Sequence, residues 1–291
     1  VGSQCGATVA LDPASGEVLV CLSMPTYSQE QYKNDWQTLA ATEGAPLFNR
    51  ATEGRYAPGS IMKLSTAVAA LEEGIITPQT TVTDEEVYTY YDDFQPECWL
   101  WGRRHETHGS QNVRSAIMNS CNYFFYEVGY RLSLKDNGIN SISQDNNQGD
   151  ATNAYYSSEL GLQKLSKYAQ MFGLGTTSGM EIPEADPQIS DDSSVPSAIG
   201  QGTNNYTTSQ LARYVTTIAN KGTLFDLTLL NKTTDVKGNV IEESQPKIDN
   251  TLSDISASTW DAVHEGMRNV VLVSHSSTFS DINRSGFQLS G

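Results

Sequence analysis

Ser60 and Lys63 stand three residues apart in Tyr56-Ala57-Pro58-Gly59-Ser60-Ile61-Met62-Lys63, a spacing that puts both on one face of a helix. A serine hydroxyl is a weak nucleophile until a base takes its proton, and a lysine amine becomes that base only when its pKa falls. Burial causes such a fall, and the sequence points to burial. The run from Ser60 to Leu71 is apolar on almost every side, which marks a central helix rather than a surface one. A lysine there needs a purpose or a partner. Pro58 and Gly59 break the preceding chain, Ser60 can open the helix, and Gly74 can end it in a left-handed cap after Glu72 and Glu73. A helix start also offers a positive end and free N–H groups, which favour an oxyanion developing near Ser60.

A second polar pair, Ser120 and Asn122, lies inside a helical candidate spanning Asn112–Tyr130. The Ser120 hydroxyl can relay a proton to a leaving amine, and the Asn122 amide can hold a substrate carbonyl and bond Lys63. Either pair alone is common by chance, and a polar helix cap explains Ser120 and Asn122 equally well. Their weight comes from company.

Zinc takes ligands of the kind found in Cys98, His105 and His108, with Asp92 and Asp93 just upstream. The spacing C-x6-H-x2-H fits no standard finger and no second cysteine follows, so no metal is assigned. The four cysteines form no C-x-x-C pair and no disulfide scaffold, and Cys21 and Cys121 read as small core residues.

The elements that must position these groups fit one large domain or two small ones in 291 residues. A hairpin is expected from Ala7–Leu11 and Glu17–Met24 around the turn Asp12-Pro13-Ala14-Ser15-Gly16, in a sheet covered on at least one face. Pro25 to Arg50 reads as a surface loop with a short helix. Tyr88, Tyr90 and Tyr91 with Asp92 and Asp93 read as a solvated loop in preference to a partner-binding one, and 135–158 as a long polar insertion. Helices are expected over Leu160–Phe172, Thr208–Ala219 and Ser256–Val273. This order suits an α+β fold with an antiparallel sheet packed against helices. Acids outnumber bases 34 to 18, for a net charge of −16, which opposes binding to nucleic acid or to anionic lipid. No stretch is long and apolar enough to span a bilayer.

Together these residues resemble the transpeptidase domain of class B penicillin-binding proteins. Gly6–Asp12 with Gly16–Leu19 resembles the family's first hairpin, and Arg55–Lys63 its nucleophile segment. Cys98-Trp99, His108-Gly109 and Ser120-Cys121-Asn122 with Tyr123-Phe124-Phe125 resemble its second motif and approach. Gly200-Gln201-Gly202 followed by Thr207–Ala212 resembles the border of its cleft. The resemblance implies a penicillin-binding/β-lactamase-like fold across residues 1–291 and a D,D-transpeptidase acting on peptidoglycan stem peptides. Ser60 is the implied nucleophile, Lys63 its base, and Ser120 and Asn122 the relay and substrate holder. No cofactor is implied, and β-lactams would acylate the same serine. The implied location is the extracytoplasmic face of the bacterial cell membrane, with a membrane-embedded glycosyltransferase as a possible partner. Two rivals remain open: a carboxypeptidase or β-lactamase on the same fold, and a domain that binds β-lactam or cell-wall peptide without turnover.

The family's Lys-Thr/Ser-Gly motif has no counterpart, although Phe287–Gly291 resembles its lead-in. The chain is therefore expected to be an incomplete folding unit, without N-terminal anchor, pedestal or C-terminal strands. A second chain or a further C-terminal segment would complete it. The first hairpin and the buried helix are expected to lack much of their sheet cover. The stretch Thr203–Tyr206 is weighed as a rim gripping an extended peptide against a simple loop.

Overall fold

A computed structural model describes residues 4–89, 95–135, 154–275, 278–279, 281 and 289–291. In chain order it contains β1 (Gly6–Leu11), β2 (Val18–Met24), α1 (Gln29–Asn34), α2 (Trp36–Ala41) and β3 (Arg55–Tyr56). A 3-10 turn, Gly59–Met62, then feeds α3 (Lys63–Glu72), followed by β4 (Val82–Thr83), α4 (Trp99–Arg104), β5 (Ser110–Gln111), α5 (Val113–Met118) and α6 (Asn122–Leu132). After the undescribed stretch come α7 (Ser158–Met171), α8 (Ser194–Ser197), β6 (Tyr206–Thr207) and α9 (Thr208–Ala219). The chain ends with β7 (Thr223–Phe225), β8 (Lys232–Thr234), β9 (Val240–Glu243), β10 (Ile248–Thr251), α10 (Ala257–Asn269) and a π-helical turn, Val270–Ser274. Among the described residues the strands form two-stranded antiparallel pairs: β1–β2, β3–β6, β4–β5, β7–β10 and β8–β9. The expected α+β class holds. No described helix is long and apolar enough to cross a membrane.

The chain divides into two compact units. The first comprises Val1–Ala57, Gln170–Ile189 and Asn205–Leu252. Its hairpin forms as expected, since Gly16 adopts φ +77° and Asp12 accepts from the Ala14 N–H and the Ser15 hydroxyl, both at 2.9 Å. A Cβ on Gly16 would come within 2.6 Å of the Asp226 carbonyl, so the turn demands glycine. The hairpin has the cover expected on at least one face. α9 packs against β1, yet Val20, Leu22 and Met24 on one face remain 42%, 42% and 41% exposed. Cys21, expected in the core, is half-buried.

α9 is where its pattern places it, opened by a capping box in which Thr207 accepts from the Gln210 N–H. It carries a buried arginine, Arg213, which donates to the Phe225 carbonyl at 2.6 Å and to Asp226 and Asp249 at 3.0 and 2.8 Å. The segment Pro25 to Arg50 forms two short helices, and Leu39 is their one buried residue. The strands from β7 to β10 were not foreseen. They are short, and β8 to β10 are exposed along their whole length, which leaves no apolar alternation to read.

The second unit comprises Pro58–Ala169, Ser190–Asn204 and Ser253–Gly291. Its centre is α3, in which every residue from Lys63 to Ala70 is buried. Around this helix, for which a loss of sheet cover is expected, it is the helices α5, α6 and α10 that pack. Close packing of α10 on α5 needs Gly266, where a Cβ would meet the Ile117 side chain at 2.8 Å. α6 is buried along nearly all sides, including Glu127, which accepts from Tyr88 at 3.0 Å and from Arg131 at 2.6 Å. Tyr88 is thus not part of a solvated loop: its ring is fully buried against Tyr123 and Tyr126. Tyr90, Tyr91, Asp92 and Asp93 lie outside the described residues, as does the Asn-rich stretch at 143–153.

Candidate active site

Gly59 carries φ +56°, and this left-handed residue turns the chain so that Ser60 starts a 3-10 turn instead of the α-helix itself. The turn leaves Ser60 exposed while the residues from Met62 to Ala70 sink into the unit. Ser60 and Lys63 therefore sit on opposite sides of the solvent boundary, with Lys63 only 2% exposed.

The helix expected over Asn112–Tyr130 is in fact two helices. α5 closes at Asn119 with a left-handed residue, Ser120, at φ +51°. The Ser120 N–H donates to the Ile117 carbonyl at 3.1 Å and the Cys121 N–H to the Ala116 carbonyl at 3.0 Å. This pair of bonds is a Schellman ending, whose left-handed position normally holds glycine or asparagine. Serine there is the reason the break was missed. It is also a sign that the side chain matters more than local comfort. α6 then starts at Asn122.

The elbow between these helices brings the four expected site residues together. Lys63 Nζ donates to Asn122 Oδ1 at 2.6 Å, to the Ser120 carbonyl at 2.8 Å and to Ser120 Oγ at 3.0 Å. Ser120 Oγ donates to Ser60 Oγ at 3.0 Å. The expected direct contact of amine and nucleophile is replaced by a relay, Lys63–Ser120–Ser60. Burial brings the Lys63 amine down from 10.5 to about 8, while the nearby Cys121 and Cys98 sulfurs pull the other way. Phe125 lies 5.7 Å beneath the ammonium. Such a group is protonated on most molecules at neutral pH, and a small neutral fraction can accept a proton through Ser120.

Behind the elbow four side chains from separate segments converge. The ligand atoms of Asp84, Cys98, His108 and Cys121 all lie within 4.8 Å of one another. The thiols are 3.9 Å apart, Cys98 Sγ is 3.4 Å from His108 Nδ1, and Cys121 Sγ is 3.8 Å from Asp84 Oδ2. A tetrahedral zinc ion sets ligand–ligand edges of about 3.8 Å for two sulfurs and about 3.6 Å for sulfur with nitrogen or oxygen. The residues present fit such an ion. The Cys98–His108 contact at 3.4 Å is slightly tighter, and the 2.7 Å contact of His108 Nδ1 with Asp84 much tighter, a hydrogen bond that coordination would replace. The other ring nitrogen, Nε2, is buried without a partner, so the imidazole directs its polar chemistry into the cluster through Nδ1.

Charges in the cluster are coupled. The Cys121 thiol hydrogen bond pulls the Cys98 thiol down to about 5. Burial works against a charged His108, but bonds to Asp84 and Cys98 prevail and lift it to about 9. Cys121, placed in the core by sequence, is indeed fully buried and is also a member of this group. Asp84 was not foreseen, because nothing near it in sequence marks it. His105, weighed with Cys98 and His108, takes φ +53° at the end of α4 and is exposed, away from the group.

In the candidate rim Thr203–Tyr206, Thr203 is exposed and Asn205 half-buried, while the other two residues are buried. Asn204 is 3% exposed and bonds the Ser190 N–H and the Gln201 carbonyl, and Tyr206 is fully buried.

Residues 6–291 match the family described as the penicillin binding protein transpeptidase domain. Peptidoglycan D,D-transpeptidase MrdA of Haemophilus influenzae is 27% identical over 313 residues, covering 96% of this chain and 41% of that protein. MrdA of Escherichia coli K12 is 27% identical over 291 residues, covering 91% and 40%. The chain thus spans about two fifths of these relatives. Among solved structures, a peptidoglycan synthase complex that coordinates polymerization and crosslinking matches with TM-score 0.73 and 27% identity, over 95% of this chain and 44% of that one. The imipenem acyl-enzyme of penicillin-binding protein A from Mycobacterium tuberculosis shares the fold, with TM-score 0.73 and 24% identity over 92% and 57% of the two chains. A match over nearly the whole length, together with the common fold, shows that the chain belongs to the class B penicillin-binding protein transpeptidase family.

Proposed function

We propose that this chain is the acyl-transfer domain of a peptidoglycan D,D-transpeptidase. Ser60 Oγ attacks the carbonyl carbon between the two terminal D-alanines of a stem peptide. The new C–O bond forms, the C–N bond breaks, and D-alanine leaves as an amine. Its proton comes from the nucleophile by way of Ser120 and Lys63. An amine of a neighbouring stem then attacks the ester carbonyl, and Ser60 recovers its proton. Asn122 holds the substrate amide and the lysine together. The observation that carries this reading is the relay from a buried amine with a lowered pKa to an exposed hydroxyl. β-Lactams are ligands of the same serine. In the whole protein we place this domain at the extracytoplasmic face of the membrane, working beside a glycosyltransferase. The resemblance to a complex that both polymerizes and crosslinks supports that placement.

Mass spectrometry after treatment with benzylpenicillin tests the proposal. The expected result is one adduct per chain on the peptide containing Ser60, persisting for many minutes. No adduct, or an adduct elsewhere, overturns it. Rapid release by water would favour a hydrolase instead.

The lowered lysine pKa sets a pH dependence. Only the neutral amine accepts a proton, so acylation rises with pH and levels off above the Lys63 value of about 8. At pH 6 the rate constant is expected to be about one hundredth of its plateau, which stopped-flow measurements from pH 6 to 10 will show.

A second reading concerns Asp84, Cys98, His108 and Cys121. We infer that they hold a zinc ion in a closed, structural site, since four protein ligands leave no open position for substrate water. Elemental analysis of the purified protein is expected to give about one zinc per chain. A ratio near zero after purification without chelators ends this reading.

A further inference from the structure

The turn that carries Ser60 is held from within, by the Lys63 N–H on the Ser60 carbonyl and the Thr66 hydroxyl 3.3 Å from the Met62 carbonyl, and also from outside. Its neighbours Gly59 and Thr66 are tied to one buried segment, α8 and the three residues after it. The Thr66 hydroxyl, fully buried, donates to the Ala198 carbonyl at 2.9 Å. The Gly59 N–H donates to the Gly200 carbonyl at 3.1 Å. Gly59 and Gly200 both take left-handed angles, φ +56° and +76°. A Cβ on Gly200 would lie 2.1 Å from the Gly59 carbonyl oxygen and 2.8 Å from its nitrogen, a backbone clash with nothing flexible to yield.

The same segment is seated on α6. A Cβ on Gly129 would meet the Ala198 methyl at 2.8 Å and the Ser194 carbonyl at 3.1 Å. The segment is closed by its own bonds, Gly200 N–H to the Ser197 carbonyl at 3.0 Å and Gln201 N–H to the Pro196 carbonyl at 3.1 Å. One rigid piece therefore touches the helix that follows Ser60 and Lys63 and the helix that begins at Asn122.

We propose that Thr66 and Gly200 are positioning residues for the acyl transfer: through Ala198 and Gly59 they set the Ser60 turn against the Ser120–Asn122 elbow. The inference rests on the reading of Ser60 as nucleophile. The Ser60–Ser120 contact of 3.0 Å joins the turn before α3 to the elbow between α5 and α6, so its length depends on whatever fixes their relative placement. A displacement of about 1 Å in a reacting group costs on the order of 10²-fold in rate. Removing a hydroxyl bond beneath the turn, or adding a methyl above Gly59, is expected to shift the turn on that scale without touching any group that meets substrate.

The test compares Thr66→Val, Thr66→Ser and Gly200→Ala with the parent chain. Stopped-flow acylation by benzylpenicillin separates the noncovalent dissociation constant from the first-order acylation step. Thr66→Val is expected to slow the acylation step at least tenfold while the dissociation constant stays within twofold. Thr66→Ser, which restores the donor, should return to within about threefold of the parent. Gly200→Ala is expected to lose more than 10²-fold or fail to fold, and for that reason Thr66 decides the matter. Hydrogen exchange gives a readout free of the chemistry: the Gly59 amide is protected in the parent and exchanges at least tenfold faster in Thr66→Val. Parental acylation by Thr66→Val, or slowing that Thr66→Ser does not relieve, overturns the proposal. Should the parent itself resist penicillin, the nucleophile reading fails, and unchanged Gly59 exchange in Thr66→Val would separately dismiss the brace.

Discussion

Lys63→Met is expected to slow acylation of Ser60 by penicillin about 10²–10⁴-fold, the range that loss of a positioned general base produces. Methionine matches the length of the lysine stem and suits a slot that is 2% exposed, so the packing of α3 survives. What disappears is the amine and its donations to Ser120 Oγ and Asn122 Oδ1. The residual rate should lose the rise with pH around 8, because no other group on the relay titrates there. Ser120→Ala is expected to cost nearly as much, since Ser120 is the link between amine and nucleophile. The double variant should be little worse than either single one, as happens when residues act as a unit. Additive losses would mean that Lys63 and Ser120 act independently. A Lys63→Met chain that acylates at the parental rate would end its assignment as base. Ser60→Ala supplies the zero of the scale.

Chelation of the zinc site should have the largest effect on stability. A ligand held at about a thousandfold above its dissociation constant stabilises the folded state by about 4 kcal/mol, and a domain of this size gains about 2–4 °C in melting temperature per kcal/mol. A tight chelator is therefore expected to lower Tm by about 10 °C and to abolish acylation with it. The second effect follows from position: Cys121 is bracketed by Ser120 and Asn122, so a cluster that holds its sulfur also holds the left-handed elbow. Cys98→Ser and His108→Ala should mimic the chelator, and adding zinc back to chelated parent should restore both Tm and rate. Unchanged melting with a powerful chelator, in protein that contains zinc, would place the ion elsewhere.

The parts of the site that were legible are those written in continuous stretches. The apolar run to Leu71 announced a buried helix, and a lysine inside it announced a partner. The amphipathic run Thr208–Ala219 marked α9. The elbow was not legible, because serine occupies a left-handed position that usually advertises itself as glycine. The cluster was half legible. Cys98 and His108 stand close in sequence, but Asp84 arrives through the pairing of β4 with β5, a contact no local pattern encodes. Proximity also misled, since His105 is nearer to Cys98 in sequence than His108 is and faces solvent. The relay in place of a direct lysine–serine bond has a similar cause: helical spacing gives the face of a side chain, not what another helix inserts between two of them.

The outward row of Val20, Leu22 and Met24 carries a practical lesson for anyone concentrating this protein. At a net charge of −16 the molecules repel one another over a distance that dissolved ions shorten. Dilute buffer should keep the sample clear, and half-molar salt should turn it cloudy by letting those oily strips meet. A trace of nonionic detergent would reverse the turbidity, whereas a change of pH toward the isoelectric point near 4.5 would deepen it.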